Sequence, residues 1–140
     1  MDISGYKQTV YATTDKVQIV LMLYDGALNH LKIAQQKIES GDIITKATHL
    51  TKATMIITEL SNVLDMEKGG EISNNLRRLY DYVLNQLLQA NMNNDVQSIK
   101  NAVRVVGILR DAWKEMIEQL KQQPQAQVYS ELQPHAQAGI

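Results

Sequence analysis

LMLYDGAL, residues 21–28, decides how this chain is read. Four apolar residues run into Asp25 and Gly26, two weak helix formers. Helical spacing nevertheless continues through them: Leu21, Tyr24, Ala27, Leu28 and Leu31 recur at intervals of three and four. Working outward, the stripe takes in Val17, Val20, Ala34 and Ile38, which predicts one long helix over residues 16–40. Asp15 is its expected N-cap, with Gln18 as the capping-box partner. Gly41 is expected to end it, and Asp42 to cap the next helix.

Three more helices follow from the same periodicity. The second, residues 43–66, carries Ile43, Ala47, Leu50, Ala53, Ile57, Leu60 and Leu64. Gly69 and Gly70 are expected to form the next turn. The third helix carries Ile72, Leu76, Leu79, Val83, Leu87 and Ala90, and the helix-poor run NMNND (91–95) closes it, with Asp95 as the following cap. The fourth carries Ile99, Ala102, Val103, Val106, Leu109, Trp113, Ile117 and Leu120. Helices of about 20–25 residues on very short loops must pack antiparallel. The expected fold is therefore all-α: an antiparallel up-down-up-down four-helix bundle over residues 15–121. A short N-terminal arm (1–14) precedes it, and a mobile, Gln-rich C-terminal tail (122–140) holding both prolines follows it.

Composition excludes several classes of function. The chain has 14 basic and 15 acidic residues and a net charge of -1, so it lacks the basic footprint that nucleic acid requires. It has no cysteine, no charged-then-apolar leader, and no apolar run near the roughly 18 residues a membrane span needs. A cytoplasmic protein without membrane insertion is expected. Glu-x-x-His pairs that would build a di-metal bundle are absent, and Gly69-Gly70 lacks the remaining parts of a phosphate loop. No metal, no cofactor and no catalytic residues are expected. One alternative of a different class is a histidine phosphotransfer bundle. There HLTKA (49–53) would supply His49 as phosphoryl acceptor and Lys52 as neutralising cation, although the usual pattern is closer to H-x-L-K-G.

Apolar residues also recur off the core stripes. On the first helix Ile19, Met22 and Ile33 fall opposite the main stripe with Leu23 beside them, and Gly26 falls on that outer line, as if clearing a notch. The second helix offers Ile56 and Val63, the third Tyr80, Leu84 and Leu88, the fourth Val105, Ile108 and Ala112. Surface leucines need no special account when scattered. Contiguous second stripes instead suit grooves that receive amphipathic helices from another chain. The six methionines, Met22 among them, suit such an adaptable surface.

Several short pieces in fixed order carry a resemblance. LMLYDGAL, EKGGEI (67–72), NL and LYDY (75–76 and 79–82), AN-x-x-x-D (90–95) and LRDAW (109–113) together resemble the flagellin-specific export chaperone family, FliS, over about residues 3–120. The resemblance implies a small cytoplasmic four-helix chaperone. Its client would be the disordered C-terminal segment of flagellin, laid as helices on the bundle surface and kept from polymerising. The complex would then dock on the cytoplasmic domain of the flagellar type III export gate. The resemblance also implies a binding role for an Ile-x-x-Tyr element in the arm, matched by Ile3 and Tyr6. These two residues, with Tyr11, could fold back as a lid over an empty groove. Members commonly open the first helix with Ser-Pro where this chain has Asp15-Lys16, and the Gln-rich tail is not part of the shared pattern.

Overall fold

The computed structural model describes the backbone of residues 3–64 and 66–122, and side chains for residues 16–64 and 68–122. It contains four helices in sequence: α1 (Ile3–Ser40), α2 (Ile43–Asn62), α3 (Met66–Asn93) and α4 (Val96–Gln122). Among the described residues there are no strands. Each helix packs against its two neighbours in a closed ring, α1 on α2, α2 on α3, α3 on α4 and α4 on α1, and among the described residues no backbone approaches along either diagonal. This is the antiparallel four-helix bundle that the sequence predicts.

Local chemistry explains the short connections. Gly41 takes φ 80°, which only glycine adopts without strain. The chain then closes a paired terminal motif, Gly41 N–H donating to Ile38 O at 3.1 Å and Asp42 N–H to Lys37 O at 2.8 Å. Asp42 at once accepts the Thr45 N–H at 3.1 Å and starts α2. That hydrogen bond holds its carboxyl below the usual carboxylate range. At the opposite connection Asn94 takes φ 50°, and Asp95 N–H donates to Ala90 O. Asp95 then caps α4 by accepting from Gln97 N–H and from the Ser98 hydroxyl. Within α3 the helical path breaks at Gly70 (φ 53°, ψ -126°), so its main run begins after that residue.

The core repeats at three and four along every helix: Tyr24, Ala27, Leu31 and Ala34; Leu50, Ala53, Ile57 and Leu60; Tyr80, Val83, Leu87 and Ala90; Ile99, Ala102 and Val106. Alanines in all four helices let the backbones approach closely, and the larger residues fill the remaining space.

Several expectations need correction. The first helix starts at Ile3 instead of after Asp15, so the backbone read as an arm continues α1 and Asp15 lies within a helix. Ile3 and Tyr6 sit in its first two turns, and their side chains, like that of Tyr11, lie outside the described residues. The tail beyond Gln122 also lies outside them. The second helix ends at Asn62, four residues early. On α3 the buried face runs through Ser73, Leu76, Tyr80 and Val83, which leaves Ile72 and Leu79 exposed. Ile43 and Leu120, placed on core stripes by periodicity, are exposed as well.

Candidate functional site

Two polar contacts in the bundle interior had no signature in the hydrophobic pattern. The Tyr24 and Tyr80 hydroxyls meet at 2.6 Å across the α1–α3 diagonal, with the residues only 3 % and 2 % exposed. Burial pushes both phenols above their ordinary pKa, and Tyr80 is raised further by its bond to Tyr24, so both stay protonated at neutral pH. Tyr80, expected on a surface stripe, is therefore a core residue: its hydroxyl is satisfied inside. The second contact is Lys46, 2 % exposed, whose Nζ donates to Asn91 O at 3.0 Å and Asn94 Oδ1 at 2.7 Å. Its stem fills the core while its charge sits on the carbonyl end of α3, where the helix dipole is negative.

The α1/α4 seam is held by polar bonds. Arg110 Nε donates to Asp25 Oδ1 at 2.7 Å, and the Trp113 indole donates to Val17 O at 2.9 Å. On the α1/α2 seam His30 Nδ1 lies 2.9 Å from His49 Nδ1, so one ring must donate and the other accept. Burial, then His49, then Lys52 depress the His30 pKa. His49 is thus engaged with a second imidazole and is not the free surface acceptor that phosphotransfer would use.

Gly26 also belongs to this seam. A Cβ built there would meet Ile56 Cδ1 at 3.4 Å. The glycine faces α2 and leaves no open notch, and Ile56 packs inward against the core. The helical phase placed Gly26 correctly off the core stripe, but an adjacent helix covers that side.

The remaining seams expose apolar side chains. Across α2/α3 a groove of about 290 Å³ is lined by Thr51, Thr54, Met55, Leu84, Leu88 and Asn91 over a floor of Leu50 and Leu87. Met55 is 65 % and Leu88 54 % exposed, while Leu84 is half-buried against the core. Ile44 and Met92 are exposed at the end of the same two helices. Across α3/α4, Gln86 bonds Asn101 at 3.1 Å. That antiparallel register carries Leu79 level with Ile108 and Tyr82 level with Val105. Ile72, Leu79, Tyr82 and Ile108 are exposed, and Val105 is half-buried against the core. On α1, Ile19 and Met22 are exposed and Leu23 is half-buried; Val63 is exposed just after α2. Of the predicted residues, then, Leu84 and Leu88 share the α2/α3 groove, while Val105 and Ile108 stand on α4 at the register level of Tyr82 and Leu79. Ile44, Met55, Ile72, Leu79, Tyr82 and Met92 were missed as surface residues. Ile72, Leu79 and Tyr82 each stand one position before a buried residue, whereas Ile44, Met55 and Met92 lie two positions from the buried face and off every stripe.

A deeper apolar cavity of about 350 Å³ lies between Val20, Tyr24, Leu60, Leu76, Tyr80, Leu109 and Trp113, where α2 stops and α3 begins. Among the described residues no group of three His, Cys, Asp or Glu could hold a metal ion. None of the described helices is long and apolar enough to cross a membrane.

Comparison with known proteins agrees with this architecture. The family model for flagellar protein FliS matches residues 2–120. The flagellar secretion chaperone FliS of Salmonella typhimurium is 44% identical over 100 residues, covering 71% of this chain and 74% of that protein. Its counterpart in Bacillus subtilis is 36% identical over 115 residues, covering 82% and 85%. A crystal structure of a bacterial flagellar chaperone superposes with a TM-score of 0.69 at 18% identity, over 85% of this chain and 99% of that one, which supports the fold. The histidine phosphotransfer alternative finds no support in these matches. The chain belongs to the FliS family of flagellar secretion chaperones and is an export chaperone, not an enzyme.

Proposed function

We propose that this chaperone binds the disordered C-terminal segment of flagellin in the cytoplasm, keeps it from polymerising, and delivers it to the cytoplasmic domain of the flagellar export gate. The observation that carries this reading is the exposure of Met55 and Leu88 across one α2/α3 groove in a chain of this family. Bundle helices normally turn such residues inward. A client helix would lay its apolar face along this groove and along the Leu79–Ile108 level of α3/α4, with Ile19 and Met22 extending the contact on α1. Met-rich, unbranched surfaces repack around varied side chains.

The magnitudes are adequate. Four anchors at about 1.5–3 kcal/mol each supply roughly 6–12 kcal/mol. Ordering a disordered client takes back about 2–5 kcal/mol. Rigid-body association costs take several more. The remainder suits a complex that holds and later releases its cargo.

The test uses the full chain and a flagellin C-terminal peptide, followed by calorimetry and far-UV circular dichroism. Helicity should rise on mixing, at one-to-one stoichiometry. Leu88→Glu or Ile108→Glu should weaken binding about 10- to 150-fold, the equivalent of one lost apolar anchor, with the helical spectrum of the free protein unchanged. Unaltered affinity in both variants refutes the grooves as the client site.

A further inference from the structure

Two imidazoles that face each other across a helix seam can share a proton or a metal ion. His30 and His49 come from different helices, 19 positions apart, and both are half-buried between α1 and α2. Their Nδ1 atoms stand 2.9 Å apart, with ring centroids at 5.1 Å and planes tilted by 36°. Imidazole nitrogens bind late transition ions at about 2.0–2.1 Å. Two such nitrogens at adjacent corners of an octahedral or square-planar ion therefore lie about 2.9 Å from each other. The pair already has the spacing of that edge. To share an ion, each ring swings so that both lone pairs meet at one point beside the line joining the nitrogens.

The protons balance. The ring that donates in the hydrogen bond carries its proton on Nδ1 and moves it to Nε2, so an ion enters without net proton release. Among the described residues neither ring makes another hydrogen bond, so nothing else fixes that tautomer. Among the described residues no third His, Cys, Asp or Glu joins the pair, which leaves the remaining coordination positions to water. Lys52 sits close enough to disfavour a second positive charge on His30, and it opposes a metal cation in the same way. Ligand spacing along one helix gives no sign of such a site, because its two ligands belong to two helices.

We propose that His30 and His49 form a two-imidazole site for a divalent late transition ion such as Ni2+, held through both Nδ1 atoms and completed by water. Four-ligand zinc sites bind at tens of nanomolar or below. Half that ligand set, with no carboxylate beside it, gives a Kd of roughly 1–200 μM. A bound ion pins α1 to α2 at mid-seam and stabilises the folded chain by mass action.

The full chain, free of any affinity tag, is titrated with NiCl2 by calorimetry at about pH 7.5, above the ordinary histidine range. One ion should bind per chain with a Kd in the range above. At about 100 times that concentration the folding constant should rise about 100-fold, seen as a melting temperature several degrees higher. His30→Gln and His49→Gln should each weaken binding by about 10-fold or more and remove the thermal shift, with circular dichroism verifying the fold. Lys52→Ala removes only the opposing charge and should tighten binding about 2- to 10-fold. His135→Gln, at the remaining histidine, should change nothing. The proposal is overturned by no binding at about 1 mM Ni2+, by full affinity in both seam variants, by equal uptake of Mg2+, or by loss of binding in His135→Gln alone. Neither seam histidine lines the α2/α3 groove, so each of these results leaves the flagellin reading untouched.

Discussion

Replacing Tyr24 or Tyr80 by Phe isolates a hydrogen bond that crosses the core diagonal. Each substitution removes a single oxygen and leaves its former partner buried, at 2 % or 3 % exposure, with nothing to bond. Orphaning a buried polar group costs about 1–3 kcal/mol, whereas removing both partners of a pair is nearly neutral. The neighbouring cavity can supply water to the orphan, which sets the lower end of that range. Each single variant should therefore lose about 1–3 kcal/mol, and the Tyr24→Phe/Tyr80→Phe double variant should lie within about 1 kcal/mol of the parent. Urea unfolding followed by circular dichroism at 222 nm reads this directly. With a slope of about 2 kcal/mol/M, a loss of 2 kcal/mol moves the midpoint by about 1 M. The double variant should then melt at higher urea than either single. If the two losses instead add, to within the roughly 0.3–0.5 kcal/mol seen for independent sites, the hydroxyls do not satisfy each other and the reasoning fails.

Three further outcomes follow from contacts elsewhere. Lys46→Met keeps the buried stem but loses two charge-assisted bonds whose acceptors sit near solvent, and should cost about 1–3 kcal/mol by urea unfolding. Lys46→Glu sets a carboxylate against the α3 carbonyls and should cost about 3–5 kcal/mol or more; a milder effect than Lys46→Met would refute the placement. Gly26→Ala should stabilise by up to about 1 kcal/mol through helix propensity, while Gly26→Leu pushes on Ile56 and should destabilise by about 1–3 kcal/mol; equal effects would mean that the α1/α2 seam is open. The His30 pKa is depressed from 6.5, so the unfolded chain takes up its proton first as pH falls. Stability is full above about pH 6.5 and declines below it toward the folded pKa. His30→Gln should flatten that part of a melting-temperature profile, and an unchanged slope would remove His30 as the cause.

Features governed by neighbours in sequence were legible without a structure. Gly41, Asp42 and Asp95 each act within five residues of their own position, and each does what its residue type predicts. The α1 stripe from Val17 to Ile38 was legible for the same reason, since helical phase is a local property. Errors arose where a partner distant in the chain decides. Spacing with Leu84 and Leu88 sets Tyr80 on a flanking stripe, but only the tyrosine can meet a hydroxyl 56 positions away. Lys46 looks like a surface residue until the α3 terminus is brought over it. Gly26 was read as an outer notch because phase gives direction without saying which helix stands there. The exposed groove residues Met55 and Met92 fall off every stripe, and only the ring arrangement shows that they flank the same seam.

The α1/α4 seam differs from the other three in a way that bears on synthesis. Loops hold α1 to α2, α2 to α3 and α3 to α4, but α1 and α4 are joined only by contacts such as Asp25–Arg110 and Val17–Trp113, 85 and 96 positions apart. Closing the ring must await the last helix. On a ribosome emitting about 5–20 residues per second, α1 spends seconds with one flank unpaired. Polar bonds with defined partners give that flank a fixed register in which to receive its own C-terminal helix, beside apolar residues such as Val20 and Leu109.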